Sequence, residues 1–411
     1  LQTLIDAPQV HRQGAAIYTR ALFPPPAMAA MAAAGSSPDR IRLGYFSSDF
    51  GDHPVSHLLA GLFEAHDRGR FEVVGFALGP ARRDAWRDRV AAAFDHFVDV
   101  DQMPDQAVVD LARQMRIDIA IDLNGYTTNC RSGIFSRRAA PVQASYVGFL
   151  GTMSAPFIDY LLADDTIVPP THREHYSEAI AYLPSYQCND DHQTPAPGLP
   201  SREALGLPAS GFVFCCFNSV YKITPAVFAS WMRILGQVPG SVLWLYVDPE
   251  TARRNLRAEA AKAGIDDQRL VFAGRVPLDE HLSRLQAADL FLDTSPYNAG
   301  ATASNALRVG LPVLTLCGES FASRVGASLL AAVDLRELIT TTAPAYEALA
   351  VELATHPQRL GQLKHRLRAR QPGSPLFDTA RFARSIEALF SSMVERSRRG
   401  EPAATIEPAQ A

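Results

Sequence analysis

Short apolar runs of strand length recur along this chain with segments of helical period between them, and this alternation restricts the fold more than any other feature. In the first half the runs fall at residues 41–46, 71–77, 117–121, 142–147 and 160–162, with helical patterns at 55–65, 83–94 and 106–115. In the second half they fall at 212–217, 242–247, 270–272, 290–292 and 313–316, with helical patterns at 226–235, 249–263, 278–287 and 321–331. Strands joined through helices of this size pair in parallel, and helices then cover both faces of the sheet. The expected class is α/β: two Rossmann-like domains facing a cleft, with terminal helices at 359–370 and 379–396.

A chain of 411 residues is long for a single core, which supports two domains. Residues 1–40 read as a helical connector, a helix over 1–23 stopped by Pro24, Pro25 and Pro26, then a linker at 35–39. The first domain is expected at 41–184, a polar, proline-rich connection (SYQCNDDHQTPAPGLP) within 185–201, and the second domain at 202–398. The tail 399–411 is expected to be disordered. The first residue is not methionine, and the chain is expected to be part of a longer protein.

Net charge is −4, so no global excess of basic residues points to nucleic acid or an anionic membrane. No apolar run reaches the length needed to span a bilayer, and no signal pattern opens the sequence. The five cysteines, Cys130, Cys188, Cys215, Cys216 and Cys317, are odd in number and form no CxxC pair. Reduced thiols and a cytoplasmic location are the expectation. Basic charge is carried almost wholly by arginine, with only three lysines, Lys222, Lys262 and Lys364. Lys262 and Lys364 lie in charged helical patterns and are expected to be solvated.

Ligands of such sheets bind beyond the carboxyl ends of the strands, so the loops there hold the candidate chemistry. In LFLDTSPYNAGATASNALRVGLPVLTL, a strand ends at Asp293 and very small residues, 299–304, lead into a helical pattern at 305–309. Small side chains at a helix mouth let backbone N–H groups approach an anion. The stretch suits a diphosphate seat, and equally an ordinary tight turn. In NSVYK, Lys222 follows a buried strand, where its charge can meet phosphate oxygens. In SSDFGDHPVSH, His53 stands at a helix mouth as a general base, a hydrogen-bond donor, or simply a cap. DLNGYTT offers Asn124, Gly125 and Tyr126 as sugar contacts or as a plain turn, and Gly148 in YVGFLGT carries the same ambiguity. THREHYSE lacks a ligand frame for a metal and reads as a solvated turn.

Taken together, LGYFSSDFGDHPVSHL, DLNGYTTNCRSGIFSRRAAPVQASYVGFLGT, FNSVYKITP, SVLWL and LDTSPYNAGATASNALRVGLPVLTLCGESFASRV resemble the catalytic region of the O-GlcNAc transferase and SPINDLY family, above all its bacterial members. The resemblance runs from Ile41 to about Phe390. It implies a GT-B fold and an inverting, metal-independent transfer from UDP-GlcNAc to protein Ser or Thr, without a bound cofactor. It also implies a tetratricopeptide region before residue 1 that reads acceptor proteins.

By position, the resemblance implies that Lys222 holds the donor diphosphate beside Ser219, and that His53 lies near donor and acceptor. Ala301 and Thr302 fall where phosphate is contacted, Val276 where backbone reads the uracil edge, and Gly148 where the sugar sits. Asn218, Tyr221, His281 and Asn298 complete the expected donor contacts. Three positions depart from the eukaryotic pattern, which has histidine at Gly300, aspartate at Asn305 and lysine at Leu278. Asn305 brings no charge to a ribose hydroxyl, and Leu278 covers a base without donating to it. These departures bear on the donor, and two rivals follow: a GDP-fucose-dependent protein O-fucosyltransferase of SPINDLY type, and a nucleotide-binding scaffold without turnover.

Overall fold

Each apolar run of the first half becomes a strand of one parallel sheet, and two further strands complete it. The structure, a computed structural model, describes residues 1–23, 40–80, 83–190 and 192–407; the proline stop and linker expected within 24–39 lie outside the described residues. The chain divides into two compact units, Ala7–Asp191 with Asp378–Ala411, and Leu1–Asp6 with His192–Phe377.

In chain order the first unit contains α1 (Pro8–Leu22), β1 (Ile41–Ser47), α2 (Pro54–Ala65), β2 (Phe71–Ala77), α3 (Ala85–Ala92), β3 (His96–Asp99), α4 (Asp105–Gln114), β4 (Ile119–Asp122), α5 (Ser132–Ser136), β5 (Val142–Ser145), β6 (Tyr160–Ala163) and β7 (Ala179–Tyr182). The strand order is β3-β2-β1-β4-β5-β6-β7, with β1 parallel to both β2 and β4. Phe46 and Phe76 stack face to face, their centroids 4.3 Å apart, within a buried cluster that includes Val74, Ile117 and Phe135. Edge strand β3 leaves its side chains half-buried or exposed, so it carries no apolar run to read.

The second unit contains β8 (Val213–Cys216), α6 (Pro225–Gln237), β9 (Val242–Tyr246), α7 (Glu250–Lys262), β10 (Leu270–Ala273), α8 (Leu278–Leu285), β11 (Leu290–Leu292), α9 (Ala301–Arg308), β12 (Val313–Leu316), α10 (Val325–Ala332), β13 (Ile339–Thr340), α11 (Ala343–Thr355) and α12 (Pro357–Arg370). Its strand order is β10-β9-β8-β11-β12-β13. Each sheet is thus wound outward in both directions from its first strand, and the order reverses between β1 and β4 and between β8 and β11. Loops after those four strands flank the two crevices where a doubly wound sheet accepts ligands.

Three observations differ from the expected boundaries. Helix α13 (Thr379–Arg398), read with the second domain, packs on the first unit. Glu387 on α13 accepts the Asp67 N–H at 2.8 Å and lies 3.0 Å from Nδ1 of the fully buried His66, whose Nε2 meets the Tyr45 hydroxyl at 2.9 Å. The tail is not disordered as far as it is described. The Ile406 N–H donates to the Ile180 carbonyl and the Ile406 carbonyl accepts from the Tyr182 N–H, each at 3.0 Å, extending the β7 edge. At the other end, the first six residues belong to the second unit, because the Asp6 carboxylate takes the Glu319 and Ser320 N–H groups and the Ser323 hydroxyl. Lys364 is also not merely solvated: it lies 3.4 Å from Asp289.

Candidate functional site

The crevice of the second unit is built on Asp293, which follows β11 as a fully buried carboxylate. Its Oδ1 accepts the Thr294 N–H at 2.8 Å and the Ala299 N–H at 2.7 Å, and its Oδ2 accepts the Thr315 hydroxyl at 2.7 Å. The two amides come from opposite ends of the loop 294–299, so one carboxylate closes it. Gly326 is needed beside it, since a Cβ there would stand 2.6 Å from Asp293 Oδ2. Asn218, leaving β8, donates to Thr294 Oγ1 at 2.7 Å and accepts the Thr302 hydroxyl at 2.5 Å, linking the loop to the mouth of α9. Asn298 is a structural knot: its Nδ2 donates to the Thr294 carbonyl and its Oδ1 accepts the Gly326 N–H.

Lys222 closes the turn after β8 and is half-buried. Its ammonium donates to the Asn298 carbonyl at 3.0 Å and lies 4.1 Å from the centre of the Tyr297 ring. Burial pushes the lysine below its ordinary value and pushes Asp293 above its own, while each charge favours the other. Ser219 and Tyr221 are exposed on the same turn. Gly300 is the N-cap of α9 and offers no capping side chain, so the first-turn amides, those of Ala301 and Thr302 among them, lack an intrahelical acceptor. The result is a cation beside an uncapped helix mouth, an arrangement that receives phosphate oxygens. Asn305 lies one turn along α9 from Thr302 and is buried.

A second cluster on this unit brings in a residue the sequence reading missed. Arg284 Nε donates to His281 Nδ1 at 3.1 Å, and Nη1 donates to the Gly274 carbonyl at 2.7 Å. Phe217 lies against both, 5.1 Å from the His281 ring and 4.8 Å from the guanidinium. Burial, aided by the Arg284 charge, pushes His281 down to about 3, so the ring is neutral, and with Nδ1 accepting, its proton sits on Nε2. Val276, Arg284 and Ser283 line, with residues 196–200, a cavity of about 440 Å³. Leu278 opens α8. Arg284 stands one turn from His281 on the same helix, and that spacing of three was visible in the sequence.

In the first unit Asn124 joins the two switch-point loops. Its Oδ1 accepts the Ser48 N–H at 2.7 Å, and its Nδ2 donates to Ser48 Oγ at 2.8 Å and to Asp49 Oδ2 at 2.9 Å. Asp49 Oδ2 lies 3.9 Å from His53 Nδ1. His53 caps α2, accepting the Val55 N–H at Nδ1 from 3.3 Å, which leaves the neutral ring protonated on Nε2, a donor. Gly125 adopts φ +57°, and its Cβ would meet Phe149 Cβ at 2.4 Å. A Cβ on Gly148 would stand 1.9 Å from the Leu123 carbonyl oxygen. Both glycines therefore answer to the close approach of two loops. The Tyr126 hydroxyl donates to the Met153 carbonyl at 3.0 Å and bonds Thr19 of α1. Among the described residues no cluster of three His, Cys, Asp or Glu is placed to hold a metal, and no helix is long and apolar enough to cross a membrane. All five cysteines are free thiols.

The family model described as Glycosyl transferase family 41 matches residues 24–199 and 195–386. A probable UDP-N-acetylglucosamine–peptide N-acetylglucosaminyltransferase of Arabidopsis thaliana, SEC, is 38% identical over 86% of this chain and 37% of its own length. A Petunia hybrida protein of the same description, SPINDLY, is 32% identical over 86% of this chain and 38% of its own. This chain therefore spans under two fifths of the length of either relative. A solved O-GlcNAc transferase mutant of Thermobaculum terrenum superposes with a TM-score of 0.88 at 31% identity, covering 97% of this chain and 76% of that one. The two parallel α/β units are those of a GT-B glycosyltransferase, and the chain belongs to Glycosyl transferase family 41.

Proposed function

We propose that this chain is the catalytic region of an inverting, metal-independent protein O-GlcNAc transferase that moves N-acetylglucosamine from UDP-GlcNAc to Ser and Thr hydroxyls of proteins. The observation that carries the reading is Lys222 beside the uncapped mouth of α9. In the transfer, an acceptor oxygen bonds to the sugar C1 as the bond from C1 to the diphosphate oxygen breaks. The charge that builds on that oxygen is met by the ammonium and by the Ala301 and Thr302 amides. The acceptor proton passes to a phosphate oxygen of the donor. His53, with Nδ1 committed to Val55, serves as a hydrogen-bond donor rather than as the base. Val276 and its neighbouring cavity suit the base, and Asn305 suits a ribose hydroxyl. The five free thiols favour a reducing cytoplasm. The partners are the nucleotide sugar and acceptor proteins, with no nucleic acid and no membrane.

Incubating the full-length protein with labelled UDP-GlcNAc and a cell lysate tests the reading: labelled polypeptides are expected, and their absence would favour the scaffold rival. A second reading, O-fucosyl transfer from GDP-fucose, rests on the resemblance to SPINDLY read in the sequence and on Leu278 and Asn305, which differ from the eukaryotic pattern. Calorimetry with UDP and GDP side by side separates the two donors.

A further inference from the structure

Lys222 does not reach its place unaided. The oxygen that anchors its ammonium is the Asn298 backbone carbonyl, and residues 294–299 are closed at both ends by Asp293 Oδ1. The same carboxylate is reached by Asn218 Nδ2 at 3.4 Å, and Asn218 holds the Thr302 hydroxyl at the mouth of α9. We propose that Asp293 is the positioning residue of the diphosphate seat: its buried charge closes the loop that carries the lysine's anchor, and it holds that lysine as an ammonium beside the helix mouth. The role rests on the reading of Lys222 as the phosphate partner, and deepens it.

Charge matters at this seat as well as shape. A half-buried ammonium loses water and tends toward the neutral amine, which has nothing to offer a diphosphate. Asp293 is the anionic group that opposes this loss. Of the other titratable groups around the pair, Asp6 is a carboxylate committed to the Glu319 and Ser320 N–H groups, and four are neutral at physiological pH. Cys216 ends β8, Tyr221 and Tyr297 flank the lysine, and Tyr346 on α11 donates to the Asp293 carbonyl at 3.0 Å. Burial raises all four above their ordinary values. Removing the carboxylate's charge therefore takes away the anion that favours the ammonium, even where an isosteric amide keeps the loop closed.

Three lysines in the whole chain make the test direct. With 13C-labelled lysine, the Cε signals of Lys222, Lys262 and Lys364 are titrated by NMR in the wild type and in Asp293→Asn, and the wild type is titrated again with UDP. The expected result is a fall in the Lys222 midpoint of about one pH unit in the variant, with Lys262 unmoved and circular dichroism unchanged. Should the variant fail to fold, the wild type alone still decides. Its Lys222 signal should carry a second inflection above the ordinary carboxylate range, where Asp293 titrates, and Lys262 should not. A Lys222 midpoint unmoved in a folded variant, or a wild-type Lys222 signal without the second inflection, overturns the role given to Asp293. The UDP arm is separate: a Lys222 midpoint that falls in the variant but does not rise with UDP supports Asp293 as the positioning residue of Lys222 and rejects the diphosphate seat.

Discussion

Lys222 Nζ and the Asn298 carbonyl oxygen stand 3.0 Å apart, joining the turn after β8 to the loop after β11 across the point where the strand order reverses. A side chain tied to its neighbour through a single hydrogen bond and one aromatic face contributes little to the fold. Lys222→Ala is therefore expected to cost roughly 1 kcal/mol of stability while lowering transfer by about a hundredfold or more. Thermal unfolding and a transfer assay check the two halves of this statement, and full activity in the folded variant refutes the assignment.

Gly148 faces backbone rather than a movable side chain, since its Cβ would lie 1.9 Å from the Leu123 carbonyl oxygen. Gly148→Ala has no rotamer to yield and must displace the loop after β4. A loss of about 2–3 kcal/mol is expected in urea unfolding. An unchanged midpoint would show that the two loops do not approach as described.

Asn124 answers the Ser48 N–H and the Asp49 carboxylate at once. Asn124→Ala leaves a buried amide without an acceptor and should cost about 1–3 kcal/mol. Asn124→Asp should cost more at pH 8, because a second carboxylate would then face Asp49 at the 2.9 Å now spanned by a hydrogen bond. The gap between the two variants should narrow toward pH 4. Equal stabilities at pH 8 would contradict the contact.

Asp122 gives a pH signature. Its Oδ1 accepts the Asn124 and Gly125 N–H groups, its Oδ2 has no hydrogen-bond partner among the described residues, and burial pushes the carboxyl up to about 6 from an ordinary value of 3.8. A folded-state value above the unfolded one means the stability it contributes is complete below about 3.8 and is lost as pH rises through about 6. Asp122→Asn cannot ionise. Relative to wild type it should gain about 2.5 kcal/mol between pH 4 and pH 8, measured by denaturant unfolding at the two pH values. A difference independent of pH would contradict the buried ionisation.

Much of this fold is written in local pattern. Runs such as 41–46 and 290–292 are apolar because both faces of their strands are covered, and the period announces it. Strands β3 and β13 are short or exposed, and α11 carries apolar residues around its circumference, so periodicity is weak in each. Helix α9 begins at Ala301, four residues before the expected 305, because alanine favours helix even where small residues suggest a loop. For the site, loop positions were legible and partners were not. The cap at His53 was among the open readings, because it is made within its own helix turn, whereas the bond from the Tyr126 hydroxyl to Thr19 of α1 and the closure by Asp293 of the loop holding the lysine's anchor are set by residues distant in sequence or by backbone geometry.

The most direct measurement is a crystal structure of the protein with UDP. The account predicts the diphosphate within hydrogen-bond distance of Lys222 Nζ and of the Ala301 and Thr302 amides, with the uracil beside Val276. A nucleotide bound away from Lys222, or a seat at α9 left empty at saturating UDP, would contradict it.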